Sequence, residues 1–166
     1  MIRLFLAVPV RLYNYERIKQ EFSPLLEGRW REEDYLHATI AFFGHQFQQD
    51  ILIDKLCDFD WSFKPSELTK FDYFSASRVF VATTQNHTLQ ILYDRLALFL
   101  GLEPIELNPH VTMIRVKKIN DSDIFTHLLT NPPCETIGIL ESKIALYKSV
   151  LHSDGAHYEI VKEWAL

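Results

Sequence analysis

The tripeptide His37-Ala38-Thr39 recurs, with one conservative change, as His110-Val111-Thr112, and each copy opens an apolar run, His37 to Phe43 and His110 to Val116, that reads as a strand. In an extended strand, residues i and i+2 share a face about 6.5 to 7 Å apart, so each copy presents one imidazole beside one hydroxyl. Histidine titrates near neutrality, so two of them can share one proton, one ring donating while the other accepts. Threonine hydroxyls beside them can donate to the non-bridging oxygens of an anionic phosphate. The combination suits phosphodiester cleavage without a metal. One such tripeptide means little, because threonine favours strands and histidine tolerates partial burial. Two copies, each continuing as a hydrophobic strand, point to a paired site.

The rest of the chain must hold those two strands in place. With 166 residues, 48% of them hydrophobic, it can bury a substantial core without disulfide or metal staples, and a single domain over residues 1–166 is expected. Its apolar stretches fall short of the roughly 18 to 20 residues of a membrane span, and Met1-Ile2-Arg3-Leu4-Phe5 reads as a strand rather than a secretory leader. A cytoplasmic location and no membrane partner are therefore expected. Cys57 and Cys134 are far apart and lack a CxxC or metal-type spacing, which predicts two reduced, packed thiols. Seventeen basic against twenty-two acidic residues give a net charge of −5, which argues against tight, salt-driven binding to long duplex nucleic acid. A small phosphate ester needs only local cations. No HExxH, CxxC or clustered carboxylate accompanies the histidines, so neither a metal nor another cofactor is expected.

Hydrophobic periodicity lays out the elements. Ile2 to Val10 reads as a central strand, and Tyr13 to Leu26 as an amphipathic helix with Asn14 near its cap. Arg29 to Tyr35, charged and following Gly28, reads as a loop or short edge strand whose Arg29 or Arg31 could line a pocket rim. After the first His-x-Thr strand, closed by Gly44, come a helix over Ile51 to Phe59 and a hairpin of Leu68 to Phe74 and Arg78 to Thr83 around Ser75-Ala76-Ser77. A helix from His87 to Leu100 stops at Gly101, and a short one over Asp121 to Leu129 follows the second His-x-Thr strand, capped by Asn120 or Asp121. Strands over Glu135 to Leu140, Lys143 to Leu151 and Ala156 to Trp164, the last two joined at Ser153-Asp154-Gly155, complete the order. It reads as a diverged duplication: two lobes sharing one cleft, with His37 and His110 brought together across it.

A longer set of segments agrees. Arg3-Leu4-Phe5-Leu6-Ala7-Val8, Leu36-His37-Ala38-Thr39-Ile40-Ala41-Phe42-Phe43-Gly44, Ser77-Arg78-Val79-Phe80, Pro109-His110-Val111-Thr112-Met113-Ile114-Arg115, and Leu146-Tyr147-Lys148-Ser149 followed by Gly155-Ala156-His157-Tyr158-Glu159 occur in that order along nearly the whole chain. In this it resembles the two-histidine (2H) phosphoesterase superfamily and, within it, the bacterial and archaeal RNA 2',3'-cyclic phosphodiesterases once named 2'-5' RNA ligases. It departs from the family in having Val81-Ala82-Thr83-Thr84 where tryptophan and glycine often stand, and Arg31-Glu32-Glu33-Asp34 in place of a commonly proline-containing approach.

The resemblance implies an α+β, bilobal, pseudo-two-fold fold, with antiparallel sheets lining a central cleft and helices outside. It implies metal-independent hydrolysis of a 2',3'-cyclic phosphate, at an RNA terminus or on a nucleotide, to a 2'-phosphomonoester. By matching position, His37 and His110 are catalytic, Thr39 and Thr112 bind phosphate, and Arg115 is a further phosphate contact. The expected polarity is His37 as proton donor to the leaving oxygen and His110 as proton acceptor from water. Arg115, five positions after His110, should face away from it on an ideal strand unless a bulge redirects it. Arg78 is a weaker candidate, and His45, His87, His127, His152 and His157 lack the motif and read as surface or packing residues. Two alternatives stay open: 2'-5' RNA ligation, the same chemistry in reverse, and an RNA-end or nucleotide-binding protein without turnover.

Overall fold

The computed structural model describes residues 2–84, 87–132 and 135–166. Along the chain run β1 (Ile2–Leu12), α1 (Tyr15–Phe22), β2 (Leu26–Trp30), β3 (His37–Gly44), α2 (Gln49–Cys57), β4 (Glu67–Leu68), β5 (Lys70–Phe74), β6 (Val79–Thr83), α3 (Thr88–Leu100), β7 (His110–Ile119), α4 (Ser122–Thr130), β8 (Gly138–Leu140), β9 (Lys143–His152) and β10 (Gly155–Ala165). The strands form one antiparallel sheet in the order β10-β9-β1-β3-β7-β6-β5, with β2 added to β7 and the short β4 and β8 extending from β1. The two His-x-Thr strands, β3 and β7, are adjacent at the middle of this path. Each half of the fold contributes one of them, and the halves join where Ala38 pairs with Val111.

Alternation decides which side chains face which layer. One face carries Leu4, Leu6, Val8, Ile40, Phe43, Met113, Ile114 and Val116, all buried in the main core. Against it pack the apolar stripes of the helices: Ile18 and Phe22 from α1, Leu52 and Leu56 from α2, Leu89, Leu92 and Leu96 from α3, and Phe125 from α4. The opposite face has its own small cluster of Phe5, Ala7, Ala145 and Tyr147, with Tyr158 packed on it.

Both central strands break their alternation in the same way. In β3, Ile40 and Ala41 are consecutive buried residues; in β7, Met113 and Ile114 are. The pairing register slips at the same points, Leu6↔Ala41 giving way to Ala7↔Thr39 and Phe80↔Ile114 to Val81↔Thr112. Each slip is one extra residue, Ile40 or Met113, which is a β-bulge.

Some elements depart from their expected bounds. The first helix stops at Phe22, short of Leu26, because Pro24 has no N–H with which to continue it. Leu26 instead opens β2, paired with Ile119. Asn14 holds the cap position in the left-handed region (φ 54°), but its side chain makes no capping bond. Asp121 does cap α4, accepting from the Ile124 N–H at 2.9 Å, and Gly101 ends α3 with φ 70°. Cys57 is exposed at the end of α2 rather than packed, since that helix buries Leu52 and Leu56 on its other side; Cys134 lies outside the described residues. Among the described residues no helix is long and apolar enough to cross a membrane.

Candidate active site

The pairing of Ala38 with Val111 fixes the arrangement around it. In an antiparallel register the residues on either side match crosswise, so His37 stands beside Thr112 and Thr39 beside His110. Opposed side chains on one face of such a pair have Cβ atoms about 4.5–5.5 Å apart, the scale of one phosphate group. All four are half-buried on the face away from the helices, while Ala38 and Val111 between them are buried.

Both imidazoles are oriented by the same device. His37 Nδ1 lies 2.7 Å from the Tyr35 carbonyl, and His110 Nδ1 lies 2.7 Å from the Asn108 carbonyl, in each case two residues upstream. A carbonyl only accepts, so Nδ1 carries the hydrogen and Nε2 is left as the group that takes or gives a proton. The local backbone before each strand therefore presets one tautomer in both rings.

Their surroundings differ. His37 is walled by Phe5, Tyr147 and Tyr158, with ring centres at 5.2, 5.2 and 5.5 Å. His110 has Phe74 edge-on at 5.0 Å. Burial pushes the proton affinity of His37 down, to a pKa of about 4, with the charges of Arg31 and His110 pushing the same way against the Tyr35 carbonyl. A ring held neutral at pH 7 is a poor resting acid, which runs against the donor role expected for His37. The same apolar wall raises the Tyr147 phenol to about 12, so it stays protonated.

The bulge at Met113 settles where Arg115 points. It restores Ile114 and Val116 to the core and turns Arg115 to the open face with His110 and Thr112, where it is exposed. Arg78 is a turn residue: it adopts φ 56°, and its guanidinium donates to the Lys117 carbonyl beside its own strand end. His45 and His87 are exposed, His127 lies in α4, and His152 and His157 stack at 4.6 Å in the β9–β10 hairpin.

Besides Phe5 and Phe74, three residues join the site from outside the motif. Phe42, 74% exposed, occupies in β3 the place that Arg115 occupies in β7, three positions after the threonine. That offset was readable in the sequence as His-x-Thr-x-x-Phe against His-x-Thr-x-x-Arg. Tyr147 and Tyr158 arrive through strand pairing, Tyr147 opposite Phe5 on β1 and Tyr158 opposite Ser149 on β9, and carry no local signal. Among the described residues, no group of three or more His, Cys, Asp or Glu side chains is placed to hold a metal ion.

No family model matches the chain. The RNA 2',3'-cyclic phosphodiesterase of Methanocaldococcus jannaschii is 28% identical over 180 residues, covering 98% of this chain and 100% of that protein. A crystal structure described as a phosphoesterase superposes with a TM-score of 0.73 at 19% identity, covering 100% of this chain and 99% of that one. The E. coli LigT protein complexed with 3'-AMP superposes with a TM-score of 0.72 at 20% identity, covering 99% and 97%. The α+β fold is thus that of LigT, and the resemblance read from the motifs extends along the full chain.

Proposed function

We propose that this chain is a two-histidine phosphoesterase that opens 2',3'-cyclic phosphates, at RNA ends or on nucleotides, to 2'-phosphomonoesters without a metal. The observation that carries this is the crosswise quartet of His37, Thr112, Thr39 and His110 at the seam of the two half-sheets, with each Nδ1 held by a carbonyl and neither Nε2 hydrogen-bonded among the described residues. Water attacks phosphorus as one Nε2 accepts its proton; the bond from phosphorus to the 3' oxygen breaks as the other Nε2 protonates that oxygen. Thr39, Thr112 and Arg115 donate to the non-bridging oxygens as charge gathers on them. The near-full-length relative's name supports the substrate class, and LigT's complex with 3'-AMP supports a nucleotide carrying a phosphate at its ribose.

The enclosure of His37 favours it as the base and His110 as the acid, the reverse of the polarity expected from sequence. The approaching anionic phosphate raises the His37 proton affinity from its low resting value toward neutrality as the substrate binds. Ligation in the 2'-5' sense would use the same groups, with a ribose 5'-hydroxyl in place of water.

The test is incubation of the purified protein with short RNA ending in 2',3'-cyclic phosphate in the presence of EDTA. The expected product carries a 2'-phosphate. Activity lost to EDTA and restored by zinc or manganese would overturn the metal-free mechanism, and binding without turnover would leave an RNA-end-binding protein.

A further inference from the structure

Arg31 follows β2, and its backbone N–H extends that strand's ladder to the Met113 carbonyl at 2.7 Å. Trp30 turns to the core, its ring against those of Tyr15 and Phe80, so Arg31 turns to the face that carries Thr112 and His37. There its guanidinium carbon lies 5.1 Å from the centre of the Tyr158 ring, and Nη2 donates to the Tyr158 hydroxyl at 3.2 Å. Tyr158 is the ring that stands edge-on to His37. Arg31 is half-buried and, among the described residues, has no carboxylate partner. A partly desolvated cation without a counter-ion is costly until an anion joins it.

The two halves differ at the position three residues after the threonine: β7 has a cation there, Arg115, and β3 has Phe42. The β3 half thus offers no charge of its own to a phosphate held at the seam. We propose that Arg31 is a second phosphate-contacting cation, gripping the substrate phosphate from the His37 side while Arg115 does so from the His110 side. The proposal rests on the phosphoesterase reading. One of the five guanidinium N–H donors is spent on Tyr158, and the planar fork that remains matches two phosphate oxygens. The Tyr158 ring holds that fork in place, so little side-chain entropy is lost on binding. Its charge also adds to burial in keeping His37 neutral.

The competing role is a staple that ties β10 to β2 through Tyr158. Arg31→Gln and Arg31→Lys separate the two roles, with inorganic phosphate as the probe by calorimetry, the His37 ring followed by NMR titration, and turnover on a cyclic nucleotide measured alongside. Arg31→Gln should weaken phosphate binding about 10- to 100-fold, the size of a lost charge-assisted contact. It should also lift the His37 midpoint above its value of about 4. Arg31→Lys, with the charge but not the fork, should fall between, and it carries the test if the glutamine variant does not fold. Phosphate affinity within twofold of wild type in either folded variant, with an unmoved His37 midpoint, would make Arg31 a staple. Arg31-dependent phosphate binding without any opening of cyclic phosphate would keep the subsite and overturn the phosphoesterase reading. A wild-type protein that opens the cyclic nucleotide yet binds no phosphate at millimolar concentration would overturn the subsite alone, and one that does neither would overturn both.

Discussion

His37 and His110 share a side chain, a tripeptide and an Nδ1 contact to a carbonyl two residues upstream, yet they are not equivalent acids. Three rings enclose His37 and one meets His110. Removing water from an imidazole penalises its charged form, so the enclosed ring rests neutral, which suits the base role proposed for it. That difference can be read with a substrate whose leaving group needs no proton, a 2',3'-cyclic phosphorothiolate with sulfur at the 3' bridge. A thiolate departs unaided, so His110→Ala should recover on the sulfur substrate most of the factor it loses on oxygen, on the order of 10² to 10⁴ for one general acid. His37→Ala should stay inactive on both, because water still lacks its base. Recovery in His37→Ala instead would restore the polarity first expected from sequence.

The elements explain why the site has these contents. In β3 and β7 the matching bulges at Ile40 and Met113 keep the core residues of both strand halves inward while turning Phe42 and Arg115 to the open face. β2 pairs with β7 along its other edge, Gly28 opposite Val116, Arg29 opposite Arg115 and Trp30 opposite Ile114, with a register slip of its own between Glu27 and Gly28. A Cβ on Gly28 would stand 3.1 Å from the Ile114 side chain and nearer still to the Arg115 carbonyl. Gly28→Ala must therefore push β7 outward just where Arg115 is aimed. The expected cost is about 1–3 kcal/mol of stability, as for other overpacked sites, seen as a lowered melting temperature. KM should rise with it, because Arg115, the proposed phosphate contact, moves while the histidines do not. Unchanged melting and KM would show that β2 yields freely there. Much of this was legible beforehand: both His-x-Thr strands, α3 with its glycine stop and α4 with its aspartate cap follow from local chemistry. The aim of Arg115 was not, because a bulge shows itself in the partner strand's register rather than in its own sequence. Nor was the aromatic wall, since Phe5, Tyr147 and Tyr158 are made neighbours only by the pairing of β1, β9 and β10.

Across the whole molecule, each half of the sheet supplies one His-x-Thr strand, and with it one of the two rings proposed as acid and base, yet the halves are unequal. Rings gather on the β1, β9 and β10 side, and the one motif-borne cation sits on β7. The halves meet at Ala38 and Val111, so the two imidazoles are held at a spacing set by the sheet itself rather than by a loop. On the proposed mechanism one transition state needs both rings at once: water deprotonated on one side of phosphorus and the 3' oxygen protonated on the other. Removing either ring strands the other, and their losses should not add. His37→Ala and His110→Ala should each abolish turnover of a cyclic nucleotide, and the double variant should be scarcely slower than the worse single one. All three should remain folded by circular dichroism, because both rings lie on the open face and the main core of Leu6, Val8, Ile40, Met113 and Ile114 is untouched. Additive losses would mean that the two rings act in separate steps. A folded single variant with near-normal turnover would show that the repeated tripeptide serves the sheet alone, and would move the chain to the binding-protein reading.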